Sequence, residues 1–201
     1  MNKRLLNNLK DARWHVALRT FGNDHATLIG LLVDWWISND PDRHWVVEAG
    51  PSSRGEKRGR CDAVFCVDSS AVGVLEVEGT RYNETLEKIG DFFTSEESDL
   101  QSLRFGIFLG YPISARGRGK ARKVPPLPLD CWERIAKQLT AEHIGKDLVI
   151  LALEKKWEPK VLGLRTRNQY YKCRPTKIHG VQCRDGRKVD RQTLHEIERI
   201  K

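Results

Sequence analysis

The chain has 201 residues, 39% hydrophobic and 31% charged, with a formal net charge of +8. That length is enough to bury one full core as a single domain with room for a small appendage. No run reaches the ~20 apolar residues of a membrane span, so no membrane partner is expected. The opening "MNKRLLNNLKDARWHV" lacks an apolar stretch long enough for a signal peptide, and five cysteines is an odd count. Export and a disulfide framework are therefore not expected, and a cytoplasmic protein with reduced thiols is.

The elements follow in chain order. Leu5, Leu6 and Leu9 predict a helix over 3–18, and Leu28, Leu31, Leu32, Trp35 and Trp36 predict a stronger one over 24–38. Asn23 or Asp24 is placed to cap the second, and Pro41 ends it by disfavouring helical geometry in the residue before it. Strands are predicted over 44–49, 60–67 and 72–78, the last two joined by the short turn "DSS" as an antiparallel hairpin. Tyr82, Leu86, Ile89 and Phe93 then describe an amphipathic helix over 81–93, and "LRFGIFLGY" a strand over 103–111. The segment 112–128, rich in Pro, Gly, Arg and Lys, reads as a mobile loop. Asp130 and Glu133 form a capping-box-like pair for a helix over 131–142. Strands over 147–156 and near 160–164, a weak hairpin through 168–183 and a helix over 190–200 complete the chain. The expected fold class is α/β, one mixed central sheet flanked by helices. The expected organisation is a core domain over 1–156 and a basic C-terminal extension over 157–201.

The charge is uneven. Residues 155–201 carry 14 Lys/Arg against 5 Asp/Glu, a net of +9, while the remainder carries 21 against 22, a net of −1. Two more basic clusters stand inside the balanced part: "RGEKRGR", with Arg54, Lys57, Arg58 and Arg60, and "RGRGKARK", with Arg116, Arg118, Lys120, Arg122 and Lys123. In the tail, Arg165, Arg167, Lys172 and Arg174 interleave with Tyr170 and Tyr171, a pattern suited to stacking on bases between phosphate contacts and equally to an amphipathic strand. Such clusters form an electrostatic footprint for a polyanion, here a nucleic acid, although a solvated basic face has the same composition.

Carboxylates interrupt three successive apolar runs: Glu48 in "HWVVEAG", Asp62 in "GRCDAVFCV", and Glu76 with Glu78 in "AVGVLEVEG". Desolvating an unpaired carboxylate costs several kcal/mol, so such groups are paired or hold a cation. Residues two apart share a strand face, which puts Glu76 and Glu78 together. With strands ~4.8 Å apart, level carboxylates could share one or two hard cations, Mg²⁺ or Mn²⁺. Read singly, Glu48 is a solvent-facing strand end, and Asp62 or Glu76 a partner of Arg60 or Arg81. His25 and Asp34 read as exposed polar positions of their helix, with service as a further ligand the alternative.

"RCDAVF…GVLEVEGT" resembles the PD-(D/E)xK nuclease superfamily, the restriction-endonuclease-like fold, whose αβββαβ core order matches residues 24–110. The resemblance implies metal ligation by Asp62, Glu76 and the Val77 carbonyl, and a divalent-metal-dependent endodeoxyribonuclease of restriction or repair type. Two positions depart from the pattern: Cys61 stands in place of the usual Pro, and Glu78 in place of the Lys that orients or activates the attacking water. Some restriction enzymes of the superfamily carry E-x-E with an extra Glu on the preceding strand, and Glu48 matches that placement. The resemblance therefore implies catalytic roles for Asp62, Glu76, Glu78 and Glu48, with Glu78 holding a second metal or serving as base. Cutting both strands of a duplex calls for a two-fold homodimer. The alternatives are a catalytically inactive nucleic-acid-binding module of the same fold and an RNA-processing nuclease. Cys173, His179 and Cys183, with His195, form a weaker zinc pattern that lacks any C-x2-C pair. Cys61 and Cys66 read as small hydrophobes, and Trp35, Trp36, Trp45 and Trp132 as core residues.

Overall fold

Seven strands pair in chain order into one open mixed sheet: β1 (Arg43–Val47), β2 (Ala63–Val67), β3 (Ser70–Glu78), β4 (Phe105–Gly110), β5 (Asp147–Glu158), β6 (Lys172–Arg184) and β7 (Arg187–Glu196). The computed structural model describes residues 5–14, 24–38, 40–47, 60–95, 100–112, 127–158 and 172–196, with only the backbone described for 24, 47, 155–158 and 172–176. β1–β2–β3 is an antiparallel meander, β3–β4–β5 is parallel, and β5–β6–β7 is antiparallel again. Parallel neighbours need a crossover, and helices supply both. α3 (Tyr82–Phe93) links β3 to β4, and α4 (Leu129–Glu142) precedes β5. On the other face lie α1 (Leu5–Asn8), which runs into a 3-10 turn over Leu9–Asp11, and α2 (Asp24–Ile37).

Two apolar layers result. Leu6, Leu9, Leu28, Leu32, Trp35 and Trp36 pack on Phe65, Leu75, Val77, Phe105, Ile107 and Leu151. On the opposite side Leu86, Ile89, Phe93, Trp132 and Leu139 cover Val74, Phe108, Leu148, Ile150 and Val181. β4 is buried at every residue, as a parallel strand covered on both faces must be. At the bulge between β2 and β3, Phe65 pairs with Gly73 and Cys66 with Ala71, so Val72 is the extra residue.

Several expectations are corrected. The first helix covers only residues 5–11 of the described chain, because Ala12 turns extended (φ −63°, ψ 144°). α4 starts at Leu129 after Pro128 with no side-chain cap; Asp130 and Glu133 bond instead to Arg191 and to Lys137, Lys188 and Arg191. Residues 190–196 are strand, not helix. Asp185 (φ 48°) and Gly186 (φ 72°) both take the left-handed conformation that a two-residue hairpin turn requires, and they fold β7 back on β6. Residues 172–196 of the tail are thus the last two strands of the same sheet. Trp45 is 40% exposed on the edge strand rather than in the core. The loop 113–126 and the strand predicted near 160–164 lie outside the described residues.

Gly110 and Gly30 give a matched test of this packing. A Cβ on Gly110 would lie 2.2 Å from the ring of the fully buried Trp132, whereas one on Gly30, on the exposed side of α2, meets nothing. Gly110→Ala is expected to destabilise the protein by about 1–3 kcal/mol through overpacking. Gly30→Ala is expected to stabilise it by about 0.5–1 kcal/mol through helix propensity. Urea midpoints of the two variants check both signs.

A carboxylate–lysine candidate active site

Asp62 sits one residue before β2, and Glu76 lies near the end of β3. Ala63 pairs with Leu75 and Val64 with Val74, and the Asp62 amide donates to the Leu75 carbonyl at 3.1 Å, so Asp62 stands beside Leu75 at the end of the ladder and not one rung further, level with Glu76. Alternation turns Val74 and Glu76 toward the α3/α4 layer and Leu75 and Val77 toward the α1/α2 layer. The hairpin still holds the two carboxylates near enough for the charge of Asp62 to act on Glu76.

Their surroundings differ. Asp62 is partly exposed: its Oδ2 accepts a hydrogen bond from the Val77 amide at 2.7 Å and faces His25 Nε2 at 3.4 Å. Glu76 is 4% exposed, and its Oε1 is in ion-pair contact with Lys88 Nζ at 2.6 Å. Lys88 lies on α3, and its ammonium also donates to the Arg60 carbonyl. Burial pushes the Glu76 carboxyl up to about 7; Lys88 opposes that shift, and the charges of Asp62 and Glu78 add to it. Burial, reinforced by Glu76, likewise pushes the neighbouring Cys61 thiol up to about 12, so Cys61 stays protonated and packs as a small hydrophobe.

Glu78 takes a different part. Its Oε1 accepts from the Gly79 amide (2.7 Å), the Thr80 amide (2.7 Å) and Thr80 Oγ1 (3.0 Å), and its Oε2 lies 3.5 Å from Thr85 Oγ1. Burial raises its pKa, but the hydrogen bonds from Thr80, Gly79 and Arg81 outweigh that and hold it below the usual carboxylate value. Glu78 is an ionised cap on the turn into α3.

Lys88 and His25 are the residues that sequence reasoning missed or set aside. Lys88 falls ten residues past Glu78, on the polar side of α3, where its spacing matches no motif. It joins Glu76 only because α3 folds back over β3. His25 reaches Asp62 from the first turn of α2, although periodicity gives an exposed site there. Among the described residues, no three His, Cys, Asp or Glu side chains are grouped to hold a metal ion. The oxygens nearest to such a role are those of Asp62 and Glu76 and the Val77 carbonyl, hard donors in a number that suits a Mg²⁺ retaining most of its water. Glu48, Arg54, Lys57, Arg58, Arg116, Arg118, Lys120, Arg122, Lys123, Arg165 and Arg167 lie outside the described residues, as do Tyr170 and Tyr171. Lys172 and Arg174 enter β6 by their backbone alone.

The same end of the sheet carries one more polar group. Glu78, Gly110, Ala152, His179 and Thr193 are paired in one row from β3 to β7. His179 bridges Glu154 Oε2 (3.2 Å) and Thr193 Oγ1 (3.3 Å). Cys183, two residues beyond Val181, is buried against the Glu133 carbonyl, so the zinc pattern is divided between a half-buried histidine and a core thiol.

The raised pKa of Glu76 fixes a pH dependence for the metal-free protein. Between about 4.5 and about 7 the folded state keeps a proton that the unfolded chain has released. Stability therefore falls as pH rises through that window and levels off above it. Glu76→Gln is expected to flatten this slope, gaining on the order of 2 kcal/mol over the native chain at pH 8 relative to pH 4.5. Urea titrations of both proteins in EDTA across that range provide the check.

No protein-family model matches this chain, and no curated protein and no solved structure shows a significant match to it.

Proposed function

We propose that the protein is a divalent-metal-dependent endodeoxyribonuclease with a restriction-endonuclease-like core. The observation that carries this reading is the meeting of Asp62, Glu76 and Lys88 at one end of the β2–β3 hairpin. The order α2–β1–β2–β3–α3–β4, with an antiparallel meander followed by a parallel strand, supports the core. The lysine absent from position 78 has a counterpart in Lys88, which brings its ammonium to Glu76 from the helix.

Asp62, Glu76 and the Val77 carbonyl would hold a Mg²⁺ or Mn²⁺ ion. When bound, such an ion polarises a phosphoryl oxygen and lowers the pKa of a water attacking it. Asp62 is oriented by the Val77 amide and by His25, so its second oxygen has a fixed direction. Lys88, a three-donor cation on a flexible stem, is placed to orient a water or to offset negative charge gathering at phosphorus. Glu78 anchors the turn that sets α3, and hence Lys88, over Glu76. The basic clusters at 54–60 and 116–123, with the Arg/Lys of 165–174, would hold the phosphate backbone, and double-strand cutting would use a homodimer.

Supercoiled plasmid with Mg²⁺, Mn²⁺ or EDTA tests the reading. The native chain is expected to nick or cut in either metal and not in EDTA. Glu76→Ala and Lys88→Ala are each expected to lower the rate by about 100-fold or more. Retention of DNA that weakens steeply with salt is expected to survive in both variants. Salt-sensitive binding without cutting would assign the inactive binding module, and faster turnover of RNA than of DNA the RNA-processing enzyme. Cleavage unchanged in Glu76→Ala would remove the site from these strands.

A further inference from the structure

The two outer strands of the sheet differ. β7 carries exposed Arg187, Lys188 and Arg191, and its pairing with β6 shifts register twice, so that edge is charged and bent. Such devices keep an open strand from pairing with another chain. β1 has neither. Its five residues pair with β2 in one unbroken register and include no Pro or Lys. Its one permanently charged side chain, Arg43, lies 4.3 Å over the Trp36 ring. Trp45 is 40% exposed and Val46 48%. They sit on opposite faces, because their partners Phe65 and Val64 belong to the α1/α2 layer and the α3/α4 layer.

The backbone of β1 is set in the same way. The Asp42 carbonyl accepts from the Asp68 amide at 3.2 Å. Alternation along an antiparallel ladder then turns the polar backbone groups of His44 and Val46 toward β2, and those of Trp45 and Val47 outward. Among the described residues, no strand pairs with that outer side.

We propose that β1 pairs with β1 of a second copy of this chain, antiparallel and about a two-fold axis normal to the sheet. Residues directly opposite in a ladder share a face, so a register centred on a residue keeps the helical layers of the two copies on matching sides. Centring on Trp45 pairs all five residues. Trp45 then exchanges both backbone bonds with its counterpart, and the Val47 amide donates to the Arg43 carbonyl. The Trp45 rings meet on one face, His44 lies against Val46 on the other, and no like charges are opposed. An unrelated peptide would find the same backbone groups but no charge pattern to select it; the self-complementary register is what β1 itself supplies. The product is one continuous sheet with both carboxylate sites on the same face. This gives the proposed homodimer an interface, yet the pairing does not require the carboxylates to be a nuclease. Five residues make a small interface, so the dimer is reversible, with a dissociation constant on the order of 10 µM.

The test is sedimentation equilibrium of the full chain in EDTA without DNA, from well below to well above that concentration. A monomer–dimer equilibrium is expected, and the Trp45 and Val47 amides are expected to exchange hydrogen more slowly as concentration rises. Trp45→Lys and Trp45→Glu are each expected to weaken dimerisation by about tenfold or more through repulsion across the axis, with the circular dichroism of the folded chain retained. Mixing these two variants is expected to restore association. Val189→Lys, on β7, is expected to dimerise as the native chain does. The proposal fails if the native chain stays monomeric at about 300 µM, if those two amides exchange at one rate at all concentrations, or if the mixture does not associate. A dimer lost in Val189→Lys and kept in both Trp45 variants would assign the interface to the other edge and overturn it. An intact dimer that cuts no DNA would strike the nuclease reading alone.

Discussion

Strands β3, β4 and β5 lie between two helical layers, and that double burial governs the polar chemistry of the protein. A strand shut off from water on both faces tolerates no carboxylate without a partner. Glu76 sits on such a strand, and the fold meets its demand with Lys88 from the crossover helix rather than with a residue of the sheet. The crossover is itself obligatory, because parallel neighbours cannot be joined by a tight turn. The geometry that forces β3 and β4 to be parallel therefore also delivers the cation.

The pair is not at rest electrostatically. Burial outweighs Lys88 and raises the Glu76 carboxyl, so the site near neutral pH carries less charge than its residues suggest. Asp62, one strand away and partly exposed, is steered by the Val77 amide and His25. Two carboxylates held in unlike environments, with an ammonium between helix and sheet, are the kind of asymmetry that separates ligand, acid and base roles. Structural ion pairs such as Asp147–Arg184, at the start of β5, or Glu133 with Lys137, Lys188 and Arg191 lack this asymmetry; there each carboxylate is matched by cations alone.

Much of the core was legible because period and burial agree. The alternation in "AVFCV" and "AVGVLEVEG", the turn between them and the helical recurrence of Leu28, Leu31, Leu32, Trp35 and Trp36 each specify one element. The tail was misread where two signals conflict. "DRQTLHEI" has a helical spacing of apolar residues, but the Asp185–Gly186 dipeptide before it is a hairpin signal, and pairing with β6 outweighs propensity. Trp45 looked like core by type, yet β1 is an edge strand and leaves it half in water.

The sequence by itself determined the α/β class, the hairpin that carries Asp62 and Glu76, and the shared face of Glu76 and Glu78, because strand alternation and short turns are local constraints. Only the tertiary structure decided that Lys88 and His25 join those carboxylates, and that Glu78 turns to the Gly79 and Thr80 amides. Those outcomes depend on how helices pack over a sheet. Residues far apart in the chain meet there through layer geometry, which no spacing along the sequence encodes.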